Sequence, residues 1–567
     1  MRSLMDNAID AEDPRADLRW GTVPALVADM AERHPGAEAL VDGDRRLTYA
    51  QLAEEVTTFT RALMASGVAG GDRVAIWAPN CVEWVIGALG VLGAGAVLVT
   101  LNTRFKGGEA AYILRASGAK TLLTVDGFLG LDYPGMLAGE DNGSLERVVV
   151  LRREPGAGRR DQATTAPRGT TTIDLGDFLA GAQQVSAVAA AARSSAIAPE
   201  DISDLIFTSG TTGRPKGAMA THAQSLRTFG TWAAIVGLRH GDRYLVVNPF
   251  FHTFGYKAGL LASLMSGATV VPEPVFDVDR VLERIETEHI TVLPGPPTLY
   301  QSILVHSGRA AHDLSSLRLG VTGAAVVPVA LVVAMRDDLG FDTVLTAYGL
   351  TESCGTVTMC RRSDPPEIVA TTSGRAIPGL EVRVVDPEGT ALRAGEPGEI
   401  VVRGYTVMAG YFGDDEATAE AIDPEGWLHT GDIGVIDDGG NVRITDRLKD
   451  MFVVGGFNAY PAEIEAMLSG CPGVGQAAVI GVPDERMGEV GCAYIVARRA
   501  GHEPPDDALG SKVLEWAQGA MANYKVPRYA AVIETLPVNA SGKVLKRELR
   551  RRFADGADTI ETNERSK

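Results

Sequence analysis

The residues best suited to chemistry lie in a stretch rich in glycine and threonine, T-S-G-T-T-G-R-P-K-G, from Thr208 to Gly217. It directly follows the apolar run D-L-I-F, which predicts a buried strand. Backbone N–H groups in such a loop can turn inward around a polyanion, and Lys216 adds a point charge. The stretch therefore predicts a phosphate-binding loop, with a plain surface turn as the alternative. It is not a G-x-x-x-x-G-K-[ST] loop, because glycine follows the lysine and proline precedes it.

Further motifs follow this loop in a fixed order along the chain. They are N-P-F-F-H-T-F-G (248–255), T-G-A-A (322–325), A-Y-G-L-T-E (347–352), W-L-H-T-G-D (427–432), D-R-L-K-D (446–450), G-G-F-N-A-Y-P-A-E-I-E (455–465) and N-A-S-G-K-V (539–544). Together with the loop they resemble the ANL superfamily of adenylate-forming enzymes, which contains acyl-CoA synthetases, peptide-synthetase adenylation domains and luciferases. Such an ordered set is far more specific than any single motif. The resemblance implies an enzyme that uses ATP, Mg²⁺ and CoA.

The resemblance implies one nucleotide site built from several motifs. Its expected ATP-binding residues are Thr208, Ser209, Gly210, Thr211, Thr212, Gly213, Lys216, Gly323, Ala324, Ala325, Tyr348, Gly349, Asp432 and Arg447. Tyr348 offers an aromatic face for adenine, and Asp432 and Arg447 suit the ribose hydroxyls. Thr351 is expected to contact the α-phosphate. Glu352 and Thr208 are the expected Mg²⁺ ligands, since magnesium needs few protein oxygens beside phosphates.

The last two motifs are implied to act in succession. Lys543 is expected to bridge the substrate carboxylate and the α-phosphate while the adenylate forms, an electrostatic role that a single donor fulfils at many active sites. Asp450 is expected to be the hinge of a small domain. Rotation about it would bring Gly455 and Gly456 to the same site for attack by CoA. His252 is a further catalytic candidate, at the mouth of the acyl pocket.

The acyl substrate is indicated by residues 244–261, which contain no acidic side chain that could hold the amine of an amino acid. The aromatic residues there favour an apolar or ring-bearing acyl group, unless they are simply core: Phe250, Phe251, Phe254 and Tyr256. This stretch and I-T-V-L-P-G-P-P-T-L-Y-Q-S (290–302) are most similar to actinobacterial acyl-CoA synthetases of steroid breakdown. That similarity implies a bicyclic, ketone-bearing propanoate, with Tyr256, Lys257 and Tyr300 as candidate contacts to its oxygens.

Four other functions stay open at this point. A medium- or long-chain fatty-acyl-CoA ligase is the nearest. A fatty-acyl-AMP ligase would deliver its product to a separate carrier protein. A luciferase-like enzyme would need oxygen and emit light, and a non-catalytic module would bind ATP without exchanging pyrophosphate.

The helices and strands that must position these residues are predicted to form an α/β protein. Short β-branched runs alternate with helical segments and predict parallel sheets flanked by helices. Val442 and its neighbours, in G-V-I-D-D-G-G-N-V-R-I-T, predict a hairpin within a small β-barrel-like part. The expected domains are an N-terminal domain over 1–449, a mobile α+β domain over 450–553 and a frayed tail over 554–567. Residues 152–203 read as an exposed connection into a new sheet unit.

The amino-acid composition excludes several classes of binding partner. Against 53 Lys and Arg stand 72 Asp and Glu, a net charge of -19, which argues against nucleic acid or an anionic membrane surface. The uncharged run 84–101 contains four glycines and reads as a helix, a turn and a strand, not as a membrane span. Five cysteines without a C-x-x-C pair, and an acidic N-terminus unlike a secretory signal, favour a reducing cytoplasm. The expected partners are small molecules, and a homodimer stays open.

Overall fold

The computed structural model describes residues 12–154, 169–209, 215–323, 327–447, 450–454, 457–484, 486–498, 508–521, 523–539 and 544–562. The chain divides into two compact units. The first comprises Met1–Gly323, Val327–Val382 and Val402–Leu428, and the second comprises Ala324–Val326, Arg383–Val401 and His429–Lys567. The predicted boundary between a domain over 1–449 and a mobile domain from residue 450 describes which segment rotates during the reaction. It stays a prediction.

A seven-stranded sheet carries the predicted phosphate loop. Its strands lie in the order Thr171–Asp174, Arg147–Arg153, Thr121–Asp126, Arg73–Trp77, Val97–Thr100, Ile202–Ser209 and Pro215–Thr221. Neighbours are parallel except for the last pair, which is an antiparallel hairpin. Parallel strands are covered on both faces, which is why Thr121–Asp126 is buried at every position.

Two smaller sheets of the first unit mix parallel and antiparallel strands. One has the order Arg243–Val246, Thr269–Pro272, Glu38–Asp42 and Arg45–Thr48, and the other has the order Leu319–Gly323, Thr343–Tyr348, Thr358–Met359 and Arg375–Ala376. In each sheet the antiparallel pairs lie toward one edge. The predicted α/β class is confirmed, although the sheets are mixed and not purely parallel.

Helices surround these sheets. The α-helices of the first unit are Ala16–Trp20, Val23–Arg33, Tyr49–Ala65, Val82–Gly93, Gly107–Ser117, Tyr133–Met136, Leu175–Ala180, Ala187–Ser195, His222–Val236, Ala262–Ser266, Val278–Thr287, Pro297–Val305, Val329–Asp337, Pro366–Thr371 and Asp415–Ala421. A π-helix spans Phe254–Leu261, and 3₁₀ turns span Phe128–Gly130, Gly181–Gln184, Arg309–Ala311 and Thr351–Ser353. The run predicted as helix, turn and strand is helix Val82–Gly93 followed by strand Val97–Thr100. Among the residues that the structure describes, no helix is long and apolar enough to cross a membrane.

The connection predicted over 152–203 differs from the structure. Strand Thr171–Asp174 joins the edge of the same sheet that Ile202–Ser209 enters, so no new sheet unit begins there. The physical reason is that the β-branched run T-T-T-I offers an edge strand to Arg147–Arg153. Residues 155–168 of this connection lie outside the described part.

A four-stranded sheet stands where a β-barrel-like part was predicted. Its order is Leu380–Val385, Gly398–Gly404, Leu428–Ile436 and Val442–Arg447. The last two strands pair antiparallel and confirm the predicted hairpin. Gly440 in its turn has φ of 77°, a left-handed conformation that glycine adopts without steric cost.

The second unit has a six-stranded sheet and its own core. Strands Phe457–Ala459, Phe452–Val454, Gly488–Ala497, Tyr529–Val532 and Ile560–Thr562 follow in order, and Val474–Asp484 also pairs with Gly488–Ala497. Helices Pro461–Leu468, Leu509–Ala520 and Lys546–Ala554 cover this sheet. The predicted frayed tail is wrong for Ile560–Thr562, because its backbone pairs with Tyr529–Ala531. Residues 563–567 lie outside the described part.

Candidate active site

The candidate phosphate loop closes a hairpin at the carboxyl end of a buried strand. Thr208 on strand Ile202–Ser209 lies opposite Lys216 on strand Pro215–Thr221. The Tyr112 hydroxyl donates to the Pro215 carbonyl at 3.0 Å and braces the second strand. Of the predicted loop residues, Gly210, Thr211, Thr212 and Gly213 lie outside the described part, and only the backbone of Ser209 is described. The hairpin register holds the two ends of the loop side by side.

Glu352 meets this hairpin from a distant part of the chain. The 3₁₀ turn Thr351–Ser353 presents its carboxylate. Glu352 Oε1 accepts one hydrogen bond from the Thr208 hydroxyl at 2.9 Å and another from the Tyr411 hydroxyl at 2.9 Å. Thr208 and Glu352, the two predicted metal ligands, are therefore in direct contact although 144 residues separate them in sequence.

Tyr411 is a site residue that sequence reasoning missed. Its segment pairs with the second strand of the hairpin: Phe412 N donates to the Gly217 carbonyl at 2.8 Å, and Met219 N donates to the Gly410 carbonyl at 3.0 Å. Lys216 Nζ lies 5.3 Å from the centroid of the Tyr411 ring, a cation–π contact. Burial, together with the neighbouring Glu352 carboxylate, raises the pKa of the Tyr411 phenol. The signal in the sequence was weak, because one tyrosine between glycine and phenylalanine has no chemical pattern around it.

The predicted adenine platform lies at the carboxyl ends of two parallel strands. Gly323 ends strand Leu319–Gly323 and pairs with Ala347, next to Tyr348 at the end of strand Thr343–Tyr348. A Cβ on Gly323 would lie 2.7 Å from the Ala347 carbonyl oxygen, and one on Gly349 would lie 2.3 Å from the Gly355 carbonyl oxygen. Both glycines are therefore required by close backbone approach. Crevices at the carboxyl ends of parallel strands are common ligand sites.

Two more predicted platform residues, Ala324 and Ala325, lie outside the described part. Thr351 opens the turn that carries Glu352 and is partly buried. Tyr348 is buried and belongs to the same strand end.

The ribose candidates belong to the second unit. Asp432 on strand Leu428–Ile436 lies opposite Arg447 on strand Val442–Arg447, so the register places the two side by side along the sheet. Glu399 braces the preceding turn: its Oε1 accepts from Gly431 N at 3.0 Å, and its Oε2 lies 2.9 Å from His429 Nδ1. Glu399 is a further residue that sequence reasoning missed.

Two of the four predicted acyl residues, Phe250 and Tyr256, form an aromatic cluster with Trp84 in the first unit. The other two, Phe251 and Phe254, are partly buried. The rings of Trp84 and Phe250 have centroids 4.8 Å apart, and those of Trp84 and Tyr256 have centroids 5.7 Å apart. All three side chains are buried. Trp84 Nε1 and the Tyr256 hydroxyl have no hydrogen-bond partner within the described residues. Both polar atoms are therefore buried and unpaired within the described residues, in side chains with no exposure to solvent.

Two residues predicted to contact substrate oxygens are engaged within the protein. The Tyr300 hydroxyl donates to the Leu293 carbonyl at 2.7 Å, and Lys257 Nζ lies 2.9 Å from Asp204 Oδ1. Their polar atoms are satisfied because both side chains are buried beside other acceptors. The predicted contacts of Tyr256, Lys257 and Tyr300 to substrate oxygens stay predictions.

His252 is held by its own turn. Its Nδ1 accepts from Phe254 N at 3.2 Å, and its backbone N donates to the Pro249 carbonyl at 3.0 Å. Burial lowers the pKa of the imidazole, so the neutral ring predominates at neutral pH.

The residues that the C-terminal part of the chain is expected to bring to the site, and its expected hinge, are described only in part. Asp450 Oδ1 accepts from Arg550 Nη2 at 3.1 Å, which ties the expected hinge to helix Lys546–Ala554 within the second unit. Lys543, Gly455 and Gly456 lie outside the described residues.

Comparison with known proteins identifies the family. The model of the AMP-binding enzyme family matches residues 27–412, and that of the AMP-binding enzyme C-terminal domain matches residues 463–543. A 3-[(3aS,4S,7aS)-7a-methyl-1,5-dioxo-octahydro-1H-inden-4-yl]propanoyl:CoA ligase of Rhodococcus jostii is 49% identical over 93% of this chain and 98% of its own. The Mycobacterium tuberculosis ligase of the same name is 49% identical over 94% of this chain and 99% of its own.

A solved structure extends the comparison to the fold. The crystal structure of an anthranilate CoA ligase in complex with anthranoyl-AMP superposes with a TM-score of 0.82 at 29% identity, covering 94% of this chain and 98% of that one. The chain therefore belongs to the AMP-binding enzyme family, which confirms the predicted class of adenylate-forming acyl-CoA synthetases.

Proposed function

We propose that this enzyme activates a bicyclic, ketone-bearing propanoate as its acyl-adenylate and then transfers the acyl group to CoA. The observation that carries the proposal is the 49% identity, over nearly the whole chain, to two ligases named for such a propanoate. Activation would join the substrate carboxylate to the α-phosphate of ATP and release pyrophosphate. Attack by the CoA thiol on the acyl carbon would then release AMP.

The contacts around Glu352 support a role in holding Mg·ATP. Both described hydroxyl donors bind the same carboxylate oxygen, Oε1, and they fix the orientation of the group. Mg²⁺ is usually held by one or two carboxylates together with substrate phosphates, so a fixed Glu352 beside the phosphate hairpin has suitable chemistry. Lys216 would add positive charge next to the phosphates. Asp432 and Arg447 are proposed for the ribose, and Lys543 for the reacting carboxylate.

The aromatic cluster supports the choice of acyl group. In this proposal a fused-ring ligand would bury apolar surface against the aromatic cluster of Trp84, Phe250 and Tyr256. Its two ketones need hydrogen-bond donors, because a buried carbonyl without one is costly. Trp84 Nε1 and the Tyr256 hydroxyl are the donors proposed for them. A fatty acyl chain has no group that would use either donor.

The test is a panel of acids in an ATP–pyrophosphate exchange assay, repeated with CoA and thioester detection. The panel contains the bicyclic dione propanoate, fatty acids of graded length, a hydroxycinnamate and several amino acids. We expect the dione to have the highest kcat/KM. Tyr256→Phe should lower that value about tenfold and leave a ketone-free analogue unaffected, since one hydrogen bond is lost.

Several results would contradict the proposal. A preference for fatty acids would indicate the alternative fatty-acyl-CoA ligase. Exchange without any CoA-dependent turnover would indicate delivery to a carrier protein. Equal effects of Tyr256→Phe on the dione and on its ketone-free analogue would remove the proposed ketone contact.

The proposed cellular compartment of the enzyme rests on its co-substrates and on its free cysteines. ATP and CoA are intracellular metabolites, and all five cysteines are free and buried in the structure. A reducing compartment suits free thiols. We therefore propose a cytoplasmic enzyme.

A further inference from the structure

A buried ion pair joins the first strand of the nucleotide hairpin to the helix Phe254–Leu261. Lys257 Nζ lies 2.9 Å from Asp204 Oδ1, and each side chain is only 1% exposed. Asp204 Oδ2 also accepts from the Ser203 hydroxyl at 2.7 Å. A buried ion pair adds little to stability compared with apolar side chains of the same size. We therefore look for a functional role of the Lys257–Asp204 pair.

The position of each partner suggests that role. Asp204 lies four residues before Thr208 on strand Ile202–Ser209. Lys257 Nζ also donates to Cys354 Sγ at 3.5 Å, and Cys354 follows Glu352 by two residues. One ammonium group thus connects the strand that carries Thr208 with the turn that carries Glu352. The Thr208–Glu352 hydrogen bond joins the same two segments at the site itself.

The backbone around these residues is unusual in two places. Lys257 is carried by the π-helix Phe254–Leu261, a rare conformation that is frequent at functional sites. Cys354 has φ of 56°, in the left-handed region that non-glycine residues seldom adopt. Such strain persists only where surrounding contacts hold it. The Lys257 contact is one of those that hold Cys354.

We propose that Lys257 is a positioning residue for adenylation. Its ammonium group, held between Asp204 and Cys354, sets the separation of Thr208 and Glu352 and so the geometry in which Mg·ATP binds. Lys257 does not contact the nucleotide in this proposal. The inference rests on the adenylate-forming activity but not on the identity of the acid.

The test separates two effects of replacing Lys257: loss of the link between the segments of Thr208 and Glu352, and loss of the positive charge that pairs with Asp204. Lys257→Met alone leaves a buried, unpaired carboxylate and is expected to destabilise the protein. The double variant Lys257→Met with Asp204→Asn removes both charges and should recover most of the thermal stability. Because the link between the two segments is still missing, we expect its KM for Mg·ATP to stay about tenfold above wild type, the size of effect that loss of one charged hydrogen bond produces. Its KM for the acid should change less than twofold.

The control is another ion pair of the first unit, between the partly buried Arg318 and the buried Asp242. Arg318 precedes strand Leu319–Gly323 and so lies at its amino end, away from the carboxyl end where the site is built. The double variant Arg318→Met with Asp242→Asn removes both charges of this pair in the same way and should leave the KM for Mg·ATP unchanged.

The readouts are the thermal midpoint, the two KM values in pyrophosphate exchange, and calorimetric binding of Mg·ATP without acid. A stable Lys257–Asp204 double variant with wild-type affinity for Mg·ATP would overturn the proposal. If that variant does not fold, Cys354→Ala removes one of the two ties without burying a charge. It should raise the KM for Mg·ATP about threefold, and an unchanged KM would overturn the proposal equally. The binding measurement needs no acid, so its result is independent of the proposed propanoate.

Discussion

At the residue scale, the Tyr411 hydroxyl decides how the Glu352 carboxylate is oriented. Tyr411→Phe removes one of the two donors to Oε1 while keeping the ring that Lys216 contacts. We expect the Mg²⁺ concentration for half-maximal pyrophosphate exchange to rise about tenfold, because the carboxylate loses a hydrogen bond that fixes it. Tyr133→Phe is the control, since its hydroxyl donates at 2.9 Å to the Thr103 carbonyl elsewhere in the first unit. Equal magnesium dependence in both variants would contradict the role of Tyr411.

His222 makes stability depend on pH. Burial lowers the pKa of its imidazole to about 4, against 6.5 for an ordinary histidine, and Nδ1 accepts from Val23 N at 3.3 Å. Between those values the unfolded chain takes up a proton that the native ring does not. The contribution of His222 is therefore complete above pH 6.5 and is lost as the pH falls toward 4, by about 3 kcal/mol in total.

His222→Asn keeps an acceptor for Val23 N and removes the titration. Urea unfolding at pH 7.5, 6, 5 and 4.5 should show a shallower loss of stability in the variant than in wild type. Parallel pH profiles of the two proteins would show that another group is responsible.

Lys543 is predicted to serve only the first half-reaction. We expect Lys543→Ala to abolish pyrophosphate exchange and to spare thioester synthesis from a supplied acyl-adenylate, because its charge assists attack by the carboxylate and not by the thiol. Single-turnover assays of each half-reaction provide the measurement. Equal loss of both would reject the role.

At the element scale, Asp450 connects strand Val442–Arg447 and the sheet that follows it. Asp450→Pro fixes φ and hinders the backbone rotation that a hinge requires. We expect thioester formation to slow at least tenfold more than adenylation, measured as separate half-reactions. Arg550→Ala, which removes only the ion pair to Asp450, is the control for loss of that contact. Unchanged rates in Asp450→Pro would exclude the hinge.

Helices and strands were predictable from the sequence where the local residue pattern favours the same structure as the tertiary packing. Glycines and a short apolar run were enough to assign helix Val82–Gly93 and strand Val97–Thr100. Pro461 opens helix Pro461–Leu468, a position where the fixed φ of proline suits the first helical turn. Edge strands were not predictable: Thr171–Asp174 and Ile560–Thr562 are strands because a neighbouring strand offers free backbone groups to them.

At the scale of the whole molecule, two separate hydrophobic cores support the two units. Ile480 is fully buried in the core of the second unit, and Ile76 is fully buried in that of the first. Ile480→Ala should cost about 2–5 kcal/mol, because it removes buried methyl groups and leaves a cavity. In calorimetry we expect it to lower one thermal transition, and Ile76→Ala to lower another. A single transition lowered equally by both variants would contradict independent cores.

The amino-acid sequence by itself determined the family, the reaction and most of the candidate residues, because ordered motifs of glycine, hydroxyl and charged residues are specific to their chemistry. Only the tertiary structure decided which side chains meet. Tyr411 contacts Glu352 from 59 residues away, and Lys257 pairs with Asp204 where a contact to substrate was expected. Such contacts depend on strand register and burial over long separations, and no local pattern encodes them. A buried polar group binds whichever partner the fold brings near, since an unpaired one is costly.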